Sequence, residues 1–261
     1  MTILEVLIFP PDICGNRLNI SFESNFELTQ LRSNSFWFEY PSLKGSEIDR
    51  IDGYNLALGV LISHLSKLSH PVTVRLLEEI PRNISDFWGI YHNSGHVTVE
   101  FPNKGEQKQT VLSDYSNRTK KPSLGSKPGI FFGGGKDSLA ITGMMMELGF
   151  PITFITFSNP RSGKIEDYEE RRKLHTLMAV ADDYGIQVVT VRSNLGLQSR
   201  NPIHTEVYTA GVLPVLRKYG LDSLSISYEL CHYYTSIGGL KCRIPKFRNS
   251  RPELNLSLIH I

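Results

Sequence analysis

The hydrophobic pattern of this chain changes character near residue 129. Before it, Leu4–Phe9, Leu18–Phe22, Ser35–Tyr40, Val72–Leu76 and His96–Phe101 are short apolar or alternating runs that predict strands. Tyr54–Leu68 places Leu56, Val60, Leu61 and Leu65 on one stripe and predicts a helix; Asp86–Tyr91, which contains Trp88, predicts a second. From Gly129 onward, strand-like and helix-like segments alternate. Ile130–Phe132 predicts a short buried strand, and Ser138–Leu148 a helix with Leu139, Ile141, Met144, Met145 and Leu148 as its apolar side, stopped by Gly149. Ile152–Phe157 is the second strand, Ile165–Tyr184 a long helix ended by Gly185, and Gln187–Val191 the third strand. Thr205–Tyr219 is a helix ended by Gly220, with Pro214 placed to kink it, and Leu224–Ser227 is the fourth strand.

Alternating strands and helices imply a parallel sheet with right-handed crossovers, in which ligands bind beyond the carboxyl ends of the strands. The expected fold class is therefore α/β. A parallel, doubly wound C-terminal half is preceded by a smaller α+β domain over residues 1–102. Between them, residues 103–128 lack periodicity, hold six Lys/Arg against two acids, and contain Pro122 and Pro128, the composition of a linker or exposed loop.

The chain has 261 residues, 40% of them apolar and 21% charged, values ordinary for a globular protein. A net charge of +2 makes no case for nucleic-acid binding through bulk electrostatics. No apolar run approaches the roughly 20 residues a membrane span needs. Met1–Phe9 has no basic stretch ahead of its apolar residues, so it reads as a first strand and not as a signal peptide. Cys14, Cys231 and Cys242 are widely spaced with no Cys-x-x-Cys, the usage expected of reduced cytoplasmic thiols. The last six residues, Leu256–Ile261, are the in-frame translation of CTGTCTCTTATACACATC, a transposon end used to prepare sequencing libraries. The expectation is that the natural chain continues past Asn255, that a fragment ending there can lack activity, and that His260 carries no chemistry.

The most informative segment is Phe131-Phe132-Gly133-Gly134-Gly135-Lys136-Asp137-Ser138-Leu139. It reads strand, glycine turn, helix. Glycines admit positive φ and leave no Cβ between the backbone amides and a ligand. The helix that follows directs its free N–H groups and positive dipole end to the same place, which suits a phosphate chain. Asp137 offers a hard oxygen ligand for Mg²⁺, and Ser138 a hydroxyl that can meet a phosphate while capping the helix. Lys136 is open to two readings, a phosphate contact or a solvated lysine.

Gly133–Ser138 matches neither the Walker phosphate loop nor the dinucleotide fingerprint. Gly134–Ser138 instead resembles the PP-loop of ATP pyrophosphatases, Ser-Gly-Gly-x-Asp-Ser, with Gly133 standing where that superfamily usually has Ser. The resemblance covers residues 129–230. It implies the adenine nucleotide alpha-hydrolase type of sheet, ATP and Mg²⁺ as cofactors, and cleavage of ATP between the α- and β-phosphates, with the loop holding the departing pyrophosphate. ATP-binding residues on this footing are Phe132, Gly133, Gly134, Gly135, Lys136, Asp137 and Ser138. Phe157 and Ser158 join them at the end of the second strand, where the family contacts adenine.

Three more residues follow strand ends. Arg161 either reaches a phosphate or is a surface arginine. His204, in Asn201-Pro202-Ile203-His204, either binds a substrate carboxylate or acts as acid/base, or belongs to a helix-start region. Glu229, in Tyr228-Glu229-Leu230, can help hold Mg²⁺ or take a proton. The expected catalytic set is Asp137, His204 and Glu229. Gly-Gly-Gly-Lys-Asp-Ser followed by Phe-Ser-Asn-Pro is similar to the muropeptide glutamate epimerase branch, which implies a peptide-nucleotide substrate with a carboxylate. A cyanodeazaguanine synthase-like amidating enzyme and a non-catalytic ATP-binding module are the alternatives; the absence of a cysteine-rich zinc segment counts against the first, and Gly133 gives weight to the second.

Overall fold

The computed structural model describes residues 4–92, 94–102, 127–158, 164–200, 205–225, 234–237 and 240–243. The molecule is mixed α/β, built on a large sheet whose central strands come from both halves of the chain. The N-terminal half supplies β1 (Leu4–Ile8), β2 (Asp12–Cys14), β3 (Arg17–Ser24), β4 (Ser35–Glu39), α1 (Arg50–Leu65), β5 (Val72–Leu76), α2 (Arg82–Tyr91) and β6 (Val97–Glu100). After residue 126 come β7 (Pro128–Phe131), α3 (Lys136–Glu147), β8 (Thr153–Ser158), α4 (Lys164–Tyr184), β9 (Gln187–Ser193) and the short α5 (Leu195–Gln198). Then follow α6 (Thr205–Gly211), α7 (Leu213–Tyr219) and β10 (Ser223–Ser225). A separate antiparallel pair, β11 (Tyr234–Ile237) and β12 (Leu240–Arg243), completes the described chain.

The main sheet runs β10-β7-β8-β9-β4-β3-β1-β5-β6, with β2 paired to β3. Two parallel blocks, β10-β7-β8-β9 and β1-β5-β6, are joined through antiparallel β4 and β3. The joint is the pairing of Phe38 with Ser193 and of Glu39 with Arg192. Beyond it, the Asn194 side chain accepts from Trp37 N–H at 2.8 Å, and Arg32 N–H donates to Gln198 C=O at 2.7 Å. The β2–β3 hairpin turns on Gly15-Asn16, with Gly15 at φ 62°, the left-handed conformation such two-residue turns require. Strand propensity alone did not predict β2, because only three residues pair.

Alternation along the strands sorts the C-terminal block into two faces. Ile130, Phe132, Phe154 and Val188 face α3 and α4, packing with Ile141, Met145, Leu174, Leu177 and Ala181. Ile155, Phe157, Val189 and Val191 face the opposite way, into the main core shared with α1, α6 and α7. Phe157 is central there: its ring lies 6.0 Å from Phe38 and 4.9 Å from Tyr208, centroid to centroid, so strands from both halves meet in one aromatic cluster.

α1 departs from the single apolar stripe expected of it. Every residue from Asp52 to Leu65 is buried, because α2 and α6 pack against it as well as the sheet. Burying Leu56, Leu58 and Leu61 stabilises the fold by about 1.5–3 kcal/mol each, enough to carry a charged residue inside. That residue is Asp52, paired by both carboxylate oxygens with the Arg217 guanidinium from α7, Nη1 to Oδ1 at 2.8 Å. Burial pushes the Asp52 carboxyl upward in pKa, against the pull of Arg217, whose own pKa the pair raises. Asp49 caps α1 by accepting from Ile51 N–H at 2.9 Å, and Asp52 reaches back to Asp49 N–H at 3.1 Å.

Two helices differ from the pattern reading. The predicted helix over 205–219 is two, α6 and α7, broken at Val212, with Pro214 in the first turn of α7 where a missing N–H costs nothing. In α3 the buried side is Ser138, Ile141, Thr142 and Met145, whereas Leu139, Met144 and Leu148 are 39%, 64% and 59% exposed. The helix is rotated so that Ser138 faces the glycine turn, and the apolar stripe no longer coincides with the buried one.

Candidate functional site

Phe131 ends β7, and the chain turns through Gly133–Gly135 into Lys136, the first residue of α3. β8 and β9 lie on one side of β7 in sequence order, while β10 lies on the other. Strand order therefore reverses at β7, and the glycine turn stands at its carboxyl end, the position where ligands enter open parallel sheets.

The turn is held by specific contacts. Gly133 N–H donates to the Ser138 hydroxyl oxygen at 3.1 Å, and Ser138 is 3% exposed. This closes the turn onto the first turn of the helix and corrects the expected capping role. The N-cap residue is Gly135, which has no side chain to cap with, so the α3 amino terminus presents amides and no capping oxygen of its own. Phe132 C=O accepts from the Thr156 hydroxyl at 3.3 Å, tying the turn to β8.

Of the three glycines, Gly134 carries the conformational demand. Its φ is 78°, and a Cβ there would lie 2.9 Å from Lys173 Cγ. Gly133 is different, since a Cβ there meets Ser138 Oγ at an ordinary 3.7 Å. Gly135 is open, with nothing within 4 Å. The serine usual in PP-loops at the first position would therefore fit, and its absence is a choice of sequence and not of space.

Side-chain placement differs among the expected ATP-binding residues. Lys136 is exposed and Asp137 half-exposed on the first turn of α3. The Phe132 ring is buried against Phe154, centroids 4.8 Å apart, so it offers the site its backbone only. The Phe157 ring is likewise inside the aromatic core, and its carbonyl accepts from Lys173 Nζ at 2.7 Å. Ser158 ends β8, half-buried. Arg161, His204 and Glu229 lie outside the described residues. Among the described residues no group of three His, Cys, Asp or Glu side chains is placed to hold a metal ion, and no helix is long and apolar enough to cross a membrane.

Sequence reasoning gave no sign that Lys173 packs against the glycine turn. It lies in Arg171-Arg172-Lys173, a basic run that reads as the solvated face of a helix. Only the packing of α4 across the turn reveals it.

No family model matches the chain, and no curated protein matches it.

Proposed function

We propose that this chain catalyses ATP-dependent adenylation of a carboxylate or carbonyl oxygen with release of pyrophosphate, on a doubly wound sheet of the adenine nucleotide alpha-hydrolase type. The observation that carries the reading is the glycine turn Gly133–Gly135, at the carboxyl end of β7 where strand order reverses and ahead of an uncapped helix start. Such a turn serves an anion whose charge grows as it leaves.

In the proposed reaction a substrate oxygen attacks the α-phosphorus, the bond from that phosphorus to the β-bridging oxygen breaks, and pyrophosphate departs. Negative charge accumulates on the departing group, where turn amides and the α3 amino terminus offer preorganised positive partial charge. Asp137, on the first turn of α3, suits a Mg²⁺ ion that keeps most of its ligands as water and phosphate oxygens, as this ion commonly does. When bound, Mg²⁺ neutralises charge on the phosphates. The acyl-AMP then has an activated carbonyl. In the epimerase form of the reading, the substrate is a UDP-muramoyl peptide; adenylating the carboxylate of its terminal L-glutamate acidifies the Cα–H, His204 or Glu229 removes that proton, a proton returns on the opposite face of Cα, and water then hydrolyses the acyl-AMP to the inverted carboxylate and AMP. Chemistry of this kind belongs in the cytoplasm, where ATP and nucleotide-linked precursors reside.

Product analysis after incubation with ATP and Mg²⁺ tests the reading. AMP with pyrophosphate, in the presence of a carboxylate acceptor, is the expected result. ATP bound but intact would support a nucleotide-binding module. ADP with inorganic phosphate, or no binding, would sink the proposal.

A further inference from the structure

We infer that the outward face of α3 is an interface between two copies of this chain, packed antiparallel about a two-fold axis. The inference concerns the surface of α3 and does not depend on the nucleotide reading. Ser138, Ile141, Thr142 and Met145 of α3 face inward, and Lys136, Leu139, Ala140, Gly143, Met144 and Glu147 are all exposed. At about 100° per residue these six span roughly 140° of the helix. The middle four carry no polar side-chain atom, whereas a helix face turned to water is normally charged. The order of the six is its own complement. With the axis midway between Ile141 and Thr142, Lys136 of one copy lies level with Glu147 of the second, Leu139 with Met144, and Ala140 with Gly143. Each pair is also placed symmetrically about the middle of the face, so one rotation matches all three. Cation meets anion, long apolar meets long apolar, and small meets small at the axis, where backbones come closest. Parallel packing would instead set Lys136 against Lys136 and Glu147 against Glu147. Among the described residues neither Lys136 nor Glu147 has an ion-pair partner. Gly143 points the same way. Glycine disfavours a helix interior, and nothing nearby requires it: a Cβ there would meet nothing within 4 Å. Close approach by a second backbone is a reason for it to be bare.

The test is sedimentation equilibrium of the 261-residue chain and its variants over a range of concentrations. A helix about 18 Å long buries less than a standard stable interface, so the dimer should dissociate at roughly 1–100 μM. Glu147→Lys sets like charges level at both ends of the pair and should weaken the dimer by at least about tenfold. The double variant Lys136→Glu, Glu147→Lys exchanges the charges and should bring the dissociation constant back to within about threefold of wild type. Gly143→Gln should weaken the dimer by holding the backbones apart, while the melting temperature measured where the chain is monomeric holds or rises, because glutamine suits a helix better than glycine. All three positions are exposed, so the folds should survive, which circular dichroism checks. A wild-type chain that is monomeric at every concentration, as it would be if a segment of its own covered α3, overturns the inference. So does a dimer that Glu147→Lys and Gly143→Gln leave unchanged, or one lost in Glu147→Lys and not recovered in the double variant.

Discussion

The sheet contains two parallel strand–turn–helix units that invite comparison, β7–α3 in the C-terminal block and β5–α2 in the N-terminal one. Both leave a strand whose neighbours are parallel and start a helix within a few residues. The first turn is Gly133-Gly134-Gly135. The second is Leu77-Glu78-Glu79-Ile80-Pro81, with two carboxylates beside the helix start and no glycine. Glu78 is already committed to Arg50 at 3.3 Å. The first turn offers a bare backbone to the phosphate proposed above, whereas the carboxylates of the second would repel an anion, although the topology is the same. Direction differs too. Counting the antiparallel steps β9–β4, β4–β3 and β3–β1 shows that β5 runs opposite to β7, so the two turns lie at opposite edges of the sheet. The proposed phosphate site thus rests on turn chemistry, and the N-terminal block lends the C-terminal one its packing.

The sharpest way to break this comparison is Asp137→Ala. It removes a half-exposed polar group, so the fold should survive by circular dichroism while AMP and pyrophosphate release disappears. Full release by the variant would falsify the assignment of chemistry to the β7 turn.

Next in size is Asp52→Ala, which strikes the bond between the halves. Leaving Arg217 without its partner should destabilise the protein toward the lower end of about 3–5 kcal/mol, because the guanidinium is 42% exposed and water compensates part of the loss. Urea unfolding measures it; a loss under about 1 kcal/mol would mean that the halves do not depend on this pair.

Gly134→Ala and Gly133→Ser sharpen the reading of the turn. Forcing alanine to φ 78° costs about 1–2 kcal/mol, and the added Cβ also displaces Lys173, so both stability and pyrophosphate affinity should fall. Gly133→Ser has room and supplies a donor, so affinity should hold or rise by up to about tenfold. Equal effects at the two positions would contradict the division of labour between them.

The smallest effect concerns Lys218 of α7 and Glu47, in the 3₁₀ turn Gly45–Glu47 before α1. The hydrogen bond from Lys218 holds the Glu47 carboxyl below its usual range, and the same bond raises the Lys218 pKa. A carboxyl depressed in the fold adds stability above its ordinary pKa and loses it as pH falls through the folded value. Melting curves of wild type and Lys218→Ala should therefore differ slightly at neutral pH and converge in acid. A gap that widens in acid would reverse the sign argued here.

Several elements were legible because their causes are local. The glycine triplet ahead of an amphipathic run, the helix stops at Gly149, Gly185 and Gly220, and the alternation of strands with helices after residue 129 follow from backbone freedom and side-chain period. Gly149, Gly185 and Gly220 all adopt positive φ, as helix-ending glycines do. β2 was not anticipated from the pattern; the two-residue Gly15-Asn16 turn pairs only three residues of it with β3. The α3 orientation was not legible, since Ile141, Met144, Met145 and Leu148 make one stripe of helical spacing and Ser138, Ile141, Thr142 and Met145 an adjacent, overlapping one.

What the order of residues settles is therefore most of the inventory: the main strands and helices, and a glycine turn bare of side chains. Adjacency belongs to the packed molecule. The pairing of β4 with β9, the ion pair of Asp52 with Arg217, and Lys173 across Gly134 each join residues dozens to more than a hundred positions apart. Such contacts come from burying one continuous apolar surface, a requirement of the whole chain that leaves no mark on the local period of any segment.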